Sequence, residues 1–121
     1  MKVLCIRRIN PITDEKTDSD SWLTIGKSYT VLSVSFELQR GMSYRILADD
    51  HKTPVLFDAR QFEIIDHKIP TNWMIFITGK ALSLSPLEWA RKGFWEDFFE
   101  GDTEAIKQFE ENKAKIMSDE E

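Results

Sequence analysis

The segment WLTIGKSYTVLSVSF, Trp22 to Phe36, turns at Gly26–Lys27 and then alternates. Tyr29, Val31, Ser33 and Ser35 fall on one side of an extended chain. Thr30, Leu32, Val34 and Phe36 fall on the other, and that more apolar set is expected to face a core. Shorter runs of the same kind follow at close spacing: YRIL (Tyr44–Leu47), VLF (Val55–Phe57) and FEII (Phe62–Ile65). Polar turns separate them, with Gly41 in one and Asp49, Asp50 and Pro54 in the next. KVLCIR (Lys2–Arg7) reads as a strand before the segment. INPITDEKTDSDS (Ile9–Ser21) has Pro11, no apolar period and many polar residues, and reads as a loop. Many short strands with tight polar turns predict a small, bent antiparallel barrel over residues 1–66 rather than a parallel sheet.

The chain then changes character. DHKIPTN (Asp66–Asn72) reads as a linker. WMIFIT (Trp73–Thr78) is apolar on both faces, which predicts a strand buried between two layers, ended at Gly79. SPLE (Ser85–Glu88) matches a helix start: a hydroxyl cap, a proline in the first turn, and a glutamate that can reach back. That helix is expected to stop at Gly93. FWEDFFE makes a turn or two more, and Asp102 caps a last helix over about 103–116. There Ile106, Phe109 and Ile116 are expected to form one apolar stripe. MSDEE reads as a frayed tail. The fold expected is thus α+β: a barrel over 1–66, then a strand and short helices over 67–121 packed on it as one unit.

Composition narrows the function. With 41% hydrophobic and 12% aromatic residues in 121, the chain has the makings of one packed domain. No apolar run approaches the roughly 20 residues a membrane-spanning helix needs. The N-terminal apolar run is too short for a secretory signal, so a cytoplasmic protein without membrane contact is expected. Cys5 is the only cysteine and sits in an apolar run, which reads as a small core residue. With His51 and His67 each beside a lysine and no metal-ligand spacing, neither a metal site nor a cofactor is expected. No phosphate-binding glycine motif, nucleophile elbow or paired catalytic carboxylate stands out, so no catalytic residue is assigned and no enzyme is expected.

Charge is uneven. Residues 1–93 carry 13 Lys+Arg against 11 Asp+Glu, while residues 94–121 carry 3 lysines against 10 acids. The formal charge of −5 therefore belongs to one end. That end repels phosphate and argues against nucleic acid as its partner. A basic, aromatic face on the barrel would draw on Arg7, Arg8, Arg40, Arg45 and Arg60 with Tyr29 and Tyr44, but acids in the same region balance these.

GFWEDFFEGD (Gly93–Asp102) concentrates both features. On a helix Phe94, Trp95, Phe98 and Phe99 make one broad apolar face that docks on the barrel or the last helix. Glu96, Asp97 and Glu100 take the opposite side. They are either that helix's wet face or a surface for a basic partner, whose association a one-signed patch speeds. Asp102 and Glu104 extend this surface, with Glu110 and Glu111 as second choices. Asp102 is compromised if its carboxylate caps the last helix. An exposed Trp95 would serve as an anchor.

Two resemblances rest on these residues. LTIGKSYTVLSV, YRILADD and PVLFDARQFEII are similar to SH3-like small barrels of phage and bacterial proteins, over about a third of the chain. Together with SPLEWARKGFWEDFFEGDTEAIKQFEE, the order of elements resembles small bacterial immunity proteins encoded beside polymorphic or contact-dependent toxins. The resemblance implies a stoichiometric inhibitor that covers a cognate basic toxin domain, usually a nuclease. The other reading it leaves open is an SH3-like adaptor or regulatory protein, a phage-derived one included, that binds a peptide or nucleic acid.

Overall fold

A bend at Val31–Leu32 organises the molecule. The amide of Val31 donates to the Met1 carbonyl at 3.0 Å, and the next amide, Leu32, donates to the Arg45 carbonyl at 2.8 Å. Successive residues therefore bond into different sheets. Strand β2 (Ser28–Thr30) lies before the bend and β3 (Ser33–Glu37) after it. Both faces of the chain are covered at the corner, so Tyr29, Val31, Leu32, Ser33 and Val34 are all buried. The single-face alternation expected over Tyr29–Phe36 fails for this reason, and Phe36, expected inside, is 36% exposed.

The computed structural model describes residues 1–9 and 22–120. The loop expected over Ile9–Ser21 lies, apart from Ile9, outside the described residues. Strands β1 (Lys2–Cys5), β2 and β6 (Phe62–Asp66) form an antiparallel sheet in the order β2-β1-β6. Strands β4 (Gly41–Leu47), β5 (Pro54–Asp58), β7 (Met74–Thr78) and β8 (Ala81–Ser85) join β3 in a second antiparallel sheet, ordered β5-β4-β3-β8-β7. A 3-10 turn at Ala59–Gln61, capped by the Asp58 carboxylate, leads from β5 into β6. The protein is α+β, but no ladder joins the two sheets among the described residues, and the expected closed barrel is not formed.

The core lies between the sheets. Phe62 sits at its centre, edge-on to Tyr29, Tyr44 and Phe57 with ring centroids 5.9–6.4 Å apart. Cross-strand pairing lines up Ile75, Leu84, Val34, Tyr44 and Phe57 on this same face of the larger sheet. Val34, Tyr44 and Phe57 are buried, whereas Ile75 lies beyond the core's edge and is exposed. Cys5 is buried, as its apolar run predicts.

The C-terminal half departs from expectation at two points. ALSLS is strand β8, which closes a hairpin with β7 through Gly79–Lys80 and pairs β3 on its other side. Ser85 is the last residue of that strand, and its hydroxyl donates to the Pro86 carbonyl instead of capping a helix. Only a 3-10 turn, Leu87–Ala90, follows, with no side-chain cap. The other departure is β7. With β8 in the sheet, WMIFIT is left on the edge rather than between layers, and Met74, Ile75 and Ile77 are exposed.

Helix α1 (Phe94–Phe99) follows Gly93, whose φ of 82° is costly for any residue with a Cβ. Helix α2 runs Thr103–Asp119, and the Asp102 carboxylate accepts from the Ala105 amide at 2.9 Å. Its buried stripe is Ala105, Phe109, Asn112 and Ile116, at helical spacing, while Ile106 is 38% exposed. Residues 117–119, expected to fray, belong to α2. They are tied down by Asp119, whose carboxylate accepts from the Thr71 amide and hydroxyl, both at 2.8 Å.

Candidate partner-binding surface

The acidic stretch is mounted on an aromatic cluster. Phe94 is fully buried, and Phe109 from α2 stacks on Trp89 at 5.2 Å and meets Phe98 at 4.7 Å. Trp95 sits among Trp89, Phe94, Phe98, Phe99 and Phe109. Helix α1 is too short to persist alone in water, so this packing holds it. Phe99, at the end of the helix, keeps 56% of its surface exposed.

Trp95 is not the exposed anchor expected. Its ring is partly buried and carries the guanidinium of Arg45 at 3.8 Å from the centroid. Arg45, from the middle of β4, points out of the sheet toward the helices. It is buried, and its Nη1 donates to the Pro54 carbonyl at 2.9 Å. Burial lowers its pKa to about 10, so the guanidinium remains charged at neutral pH. A ring face is a suitable partner for such a cation, being negative without needing a counter-ion. Sequence reasoning placed Arg45 among surface bases. The signal against this was local: Arg45 lies between Tyr44 and Ile46 in a strand covered on both faces.

The acids divide into those already engaged and those open. Asp97 pairs with Arg91 at 2.9 Å, Glu110 with Lys113 at 2.9 Å, and Asp102 is the α2 cap. Glu96, Glu100, Glu104 and Glu111 are exposed and enter no ion pair among the described residues. Glu96 and Glu100 are on or just past α1, and Glu104 opens α2. Glu111 alternates along α2 with Lys107 and Lys115, each four residues away, so its surroundings are mixed in sign. Among the described residues, no carboxylate of the set pairs with a lysine or arginine of the sheets.

The basic aromatic face weighed for the barrel is not assembled. Tyr29, Tyr44 and Arg45 are buried. Arg60 is held by Asp58 at 2.6 Å, and Arg40 reaches Glu37 at 3.7 Å. Tyr29 serves a structural network instead. Its hydroxyl donates to Asp49 Oδ1 at 2.8 Å and accepts from the Thr24 amide, also at 2.8 Å. Asp49 further accepts from Thr24 Oγ1 and Lys27 Nζ. Burial, then the Asp49 contact, pushes the Tyr29 phenol up to about 12. Burial alone would raise Asp49, but the hydrogen bonds from Thr24, Tyr29 and Lys27 outweigh it and hold the carboxyl below its ordinary value. Asp49 and Asp50 thus act as turn residues: Asp50 accepts from the amides of Lys52 and Thr53.

Among the described residues, no three of the side chains that bind metals lie together, and no helix is long and apolar enough to cross a membrane. No protein-family model, curated protein or solved structure matches this chain.

Proposed function

We propose that this chain is a non-catalytic binding protein of the immunity type. In this reading it neutralises a basic toxin domain, a nuclease by charge complementarity, in the bacterial cytoplasm. The observation that carries the reading is the set Glu96, Glu100 and Glu104: exposed, outside any ion pair, and held on elements anchored by Phe94 and Phe109. A rigid mount loses little backbone freedom on docking, and a group of like charges on it attracts a cationic surface before contact. Asp97, Asp102 and Glu110 serve their own helices first, and Glu111 is a secondary contact.

The test is co-expression with the product of the neighbouring gene, followed by association kinetics on the purified pair. The expected result is a stoichiometric complex whose association rate falls as salt rises, and falls again in the variant E96K/E100K/E104K. Failure to form any complex, or an association rate indifferent to salt and to charge reversal, overturns the reading.

The second reading is an SH3-like adaptor. Its support is connectivity: a strand bent between two sheets (β2–β3), a meander through β4 and β5, a 3-10 turn, and a closing strand β6 that pairs β1. A complex that survives the E96K/E100K/E104K changes but is lost on altering the surface of the two sheets would favour it.

A further inference from the structure

Strand β7 is an edge without protection. Edge strands in monomers are blunted by charge, proline, bulges or a covering element. The opposite edge of the same sheet, β5, opens with Pro54 and closes at Asp58, which holds Arg60. From Trp73 to Gly79 there is no charge and no proline, and among the described residues β7 has its one ladder with β8, in unbroken register. Ile75 is 58% exposed and Ile77 68%.

The direction of its free backbone groups follows from the hairpin. Gly79 and Lys80 form a two-residue loop with Gly79 at φ 53°, so Thr78 and Ala81 make the closing hydrogen-bonded pair. Alternation then turns the amides and carbonyls of Ile75 and Ile77 away from β8, toward solvent. The side chains of the same two residues lie on the face that continues from Leu82, Leu84, Phe36 and Met42. Bare main-chain groups and bare apolar side chains thus coincide on one edge.

We propose that two copies of this chain pair through β7, antiparallel about Phe76, to make one continuous sheet across the dimer. The strand is self-complementary in that register. Ile75 of one copy exchanges both main-chain hydrogen bonds with Ile77 of the other, and the two Phe76 residues face each other on the non-hydrogen-bonded position. All four isoleucines fall on one face and bury one another with Leu82 and Phe36. Any shift of the register by one residue would set Ile75 against a residue whose amide is spent on β8.

Charge selects a second copy over other occupants. The molecule carries −5, yet the strand where the copies meet carries none, so the net repulsion is kept away from the contact. Beyond the ladder, the same register carries the exposed Lys80 of one copy to the Thr71–Asn72 turn of the other. The Asp119 carboxylate holds that turn, and with Glu120 it outnumbers Lys68, whose Nζ donates to the Asp119 carbonyl at 2.6 Å. A two-fold operator repeats this lysine-to-acid approach at both ends, as an isologous interface requires.

The experiment uses the full chain. Sedimentation and light scattering on the wild type should give a dimer that dissociates on dilution. Ile77→Lys, at the most exposed position, sets charge into the new ladder and should weaken association by about tenfold or more without loss of fold. In a Cys5→Ser background, Phe76→Cys should oxidise to a disulfide-linked dimer, because facing residues on non-hydrogen-bonded positions approach to about 4.5 Å. Ile75→Cys alone should not, since it faces Ile77 of the second copy. A wild type that stays monomeric at millimolar concentration assigns the edge to a strand of some other protein and overturns the proposal. So does a dimer indifferent to Ile77→Lys, or one that crosslinks equally from either cysteine. None of these outcomes bears on the acidic surface, which E96K/E100K/E104K tests separately.

Discussion

The guanidinium of Arg45 lies over the indole of Trp95, 3.8 Å from the ring centroid, and joins the sheet to the helices. Among the described residues, Arg45 has no carboxylate beside it in the core. Its charge is balanced by a carbonyl, that of Pro54, and by a π-face. Arg45→Ala should therefore lose both the packing under α1 and the cation–π contact, at about 2–4 kcal/mol. Arg45→Met keeps most of the volume and buries no charge. It should stay within about 1 kcal/mol of the wild type, because apolar replacement of buried ionic groups is often neutral. Urea unfolding midpoints at constant slope measure both. Equal losses in the two variants would show that the charge, not the volume, is what the site uses.

The two phenylalanines that bracket the cluster should behave oppositely. Phe109 is 1% exposed and touches Trp89, Trp95 and Phe98. Phe109→Ala opens a cavity at the helix junction and should cost about 3–5 kcal/mol. Phe99 is 56% exposed, and Phe99→Ala should cost under about 1 kcal/mol. Chemical denaturation of the two variants checks the contrast. A large loss at Phe99 would mean that α1 leans on its C-terminal aromatic more than its exposure indicates.

What could be read in advance, and what could not, follows from the range of the interactions. The strands of the first half announce themselves by local alternation and turn residues, and Asp102 announces its cap by position alone. The bend at Val31–Leu32 is invisible locally, since it exists only because Met1 and Arg45 offer acceptors in different sheets. ALSLS does alternate and follows a two-residue Gly-Lys turn. The attractive helix start at Ser85–Glu88 masked it. Missing that strand reversed the reading of β7, because an apolar run looks the same whether it lies inside a sheet or on its rim. Of the acidic surface, composition identified the members, but only geometry separates Glu96, Glu100 and Glu104 from Asp97 and Glu110, whose partners lie three to six residues away in sequence.

Alkaline pH should destabilise the fold through its tyrosines. Burial raises the folded-state phenol of Tyr29 to about 12, above its ordinary 10, and raises Tyr44 in the same direction. A raised folded value means stability present below pH 10 and lost as pH rises toward 12. Arg45 acts with the opposite sign in that window: burial holds its folded value at about 10, below its ordinary value, so folding is eased as it deprotonates. Tyr29→Phe should flatten the alkaline fall, and Arg45→Met should steepen it. Thermal melts between pH 9 and 11.5 test both slopes. Identical profiles for wild type and Tyr29→Phe would remove the Asp49–Tyr29 network from the account.

Acid should act on the turns. Hydrogen bonds from the Thr53 hydroxyl and from the amides of Lys52 and Thr53 hold Asp50 down to about 2. Asp58 is lowered chiefly by its hydrogen bonds with Arg60. Depressed folded values give stability that is present above pH 4 and lost as pH falls toward 2. Asp58→Asn, which retains an acceptor for the Arg60 amide, should show a shallower acid limb than the wild type in melts from pH 5 to pH 2. An unchanged limb would place the acid-labile groups elsewhere.

Asp102 and Glu104 separate support from recognition, because they are neighbours with different duties. Asp102 Oδ2 accepts from the Ala105 amide and satisfies one of the donors left open at the start of α2. Asp102→Ala should cost about 1 kcal/mol and lower the melting temperature by roughly 4 °C for a domain of this size. Asp102→Asn or Asp102→Ser should recover most of that, since either side chain can accept the same bond. Glu104 makes no cap and no ion pair, so Glu104→Gln should leave the melting temperature within about 1–2 °C, a small loss of charge near the positive end of the helix. Under the proposed function the order reverses in binding: Glu104→Gln should slow association with the basic partner at low salt more than Asp102→Asn does. If Asp102→Asn is instead the slower associating variant, the cap carboxylate faces the partner, and the recognition surface lies nearer the α1–α2 turn than the exposed glutamates indicate.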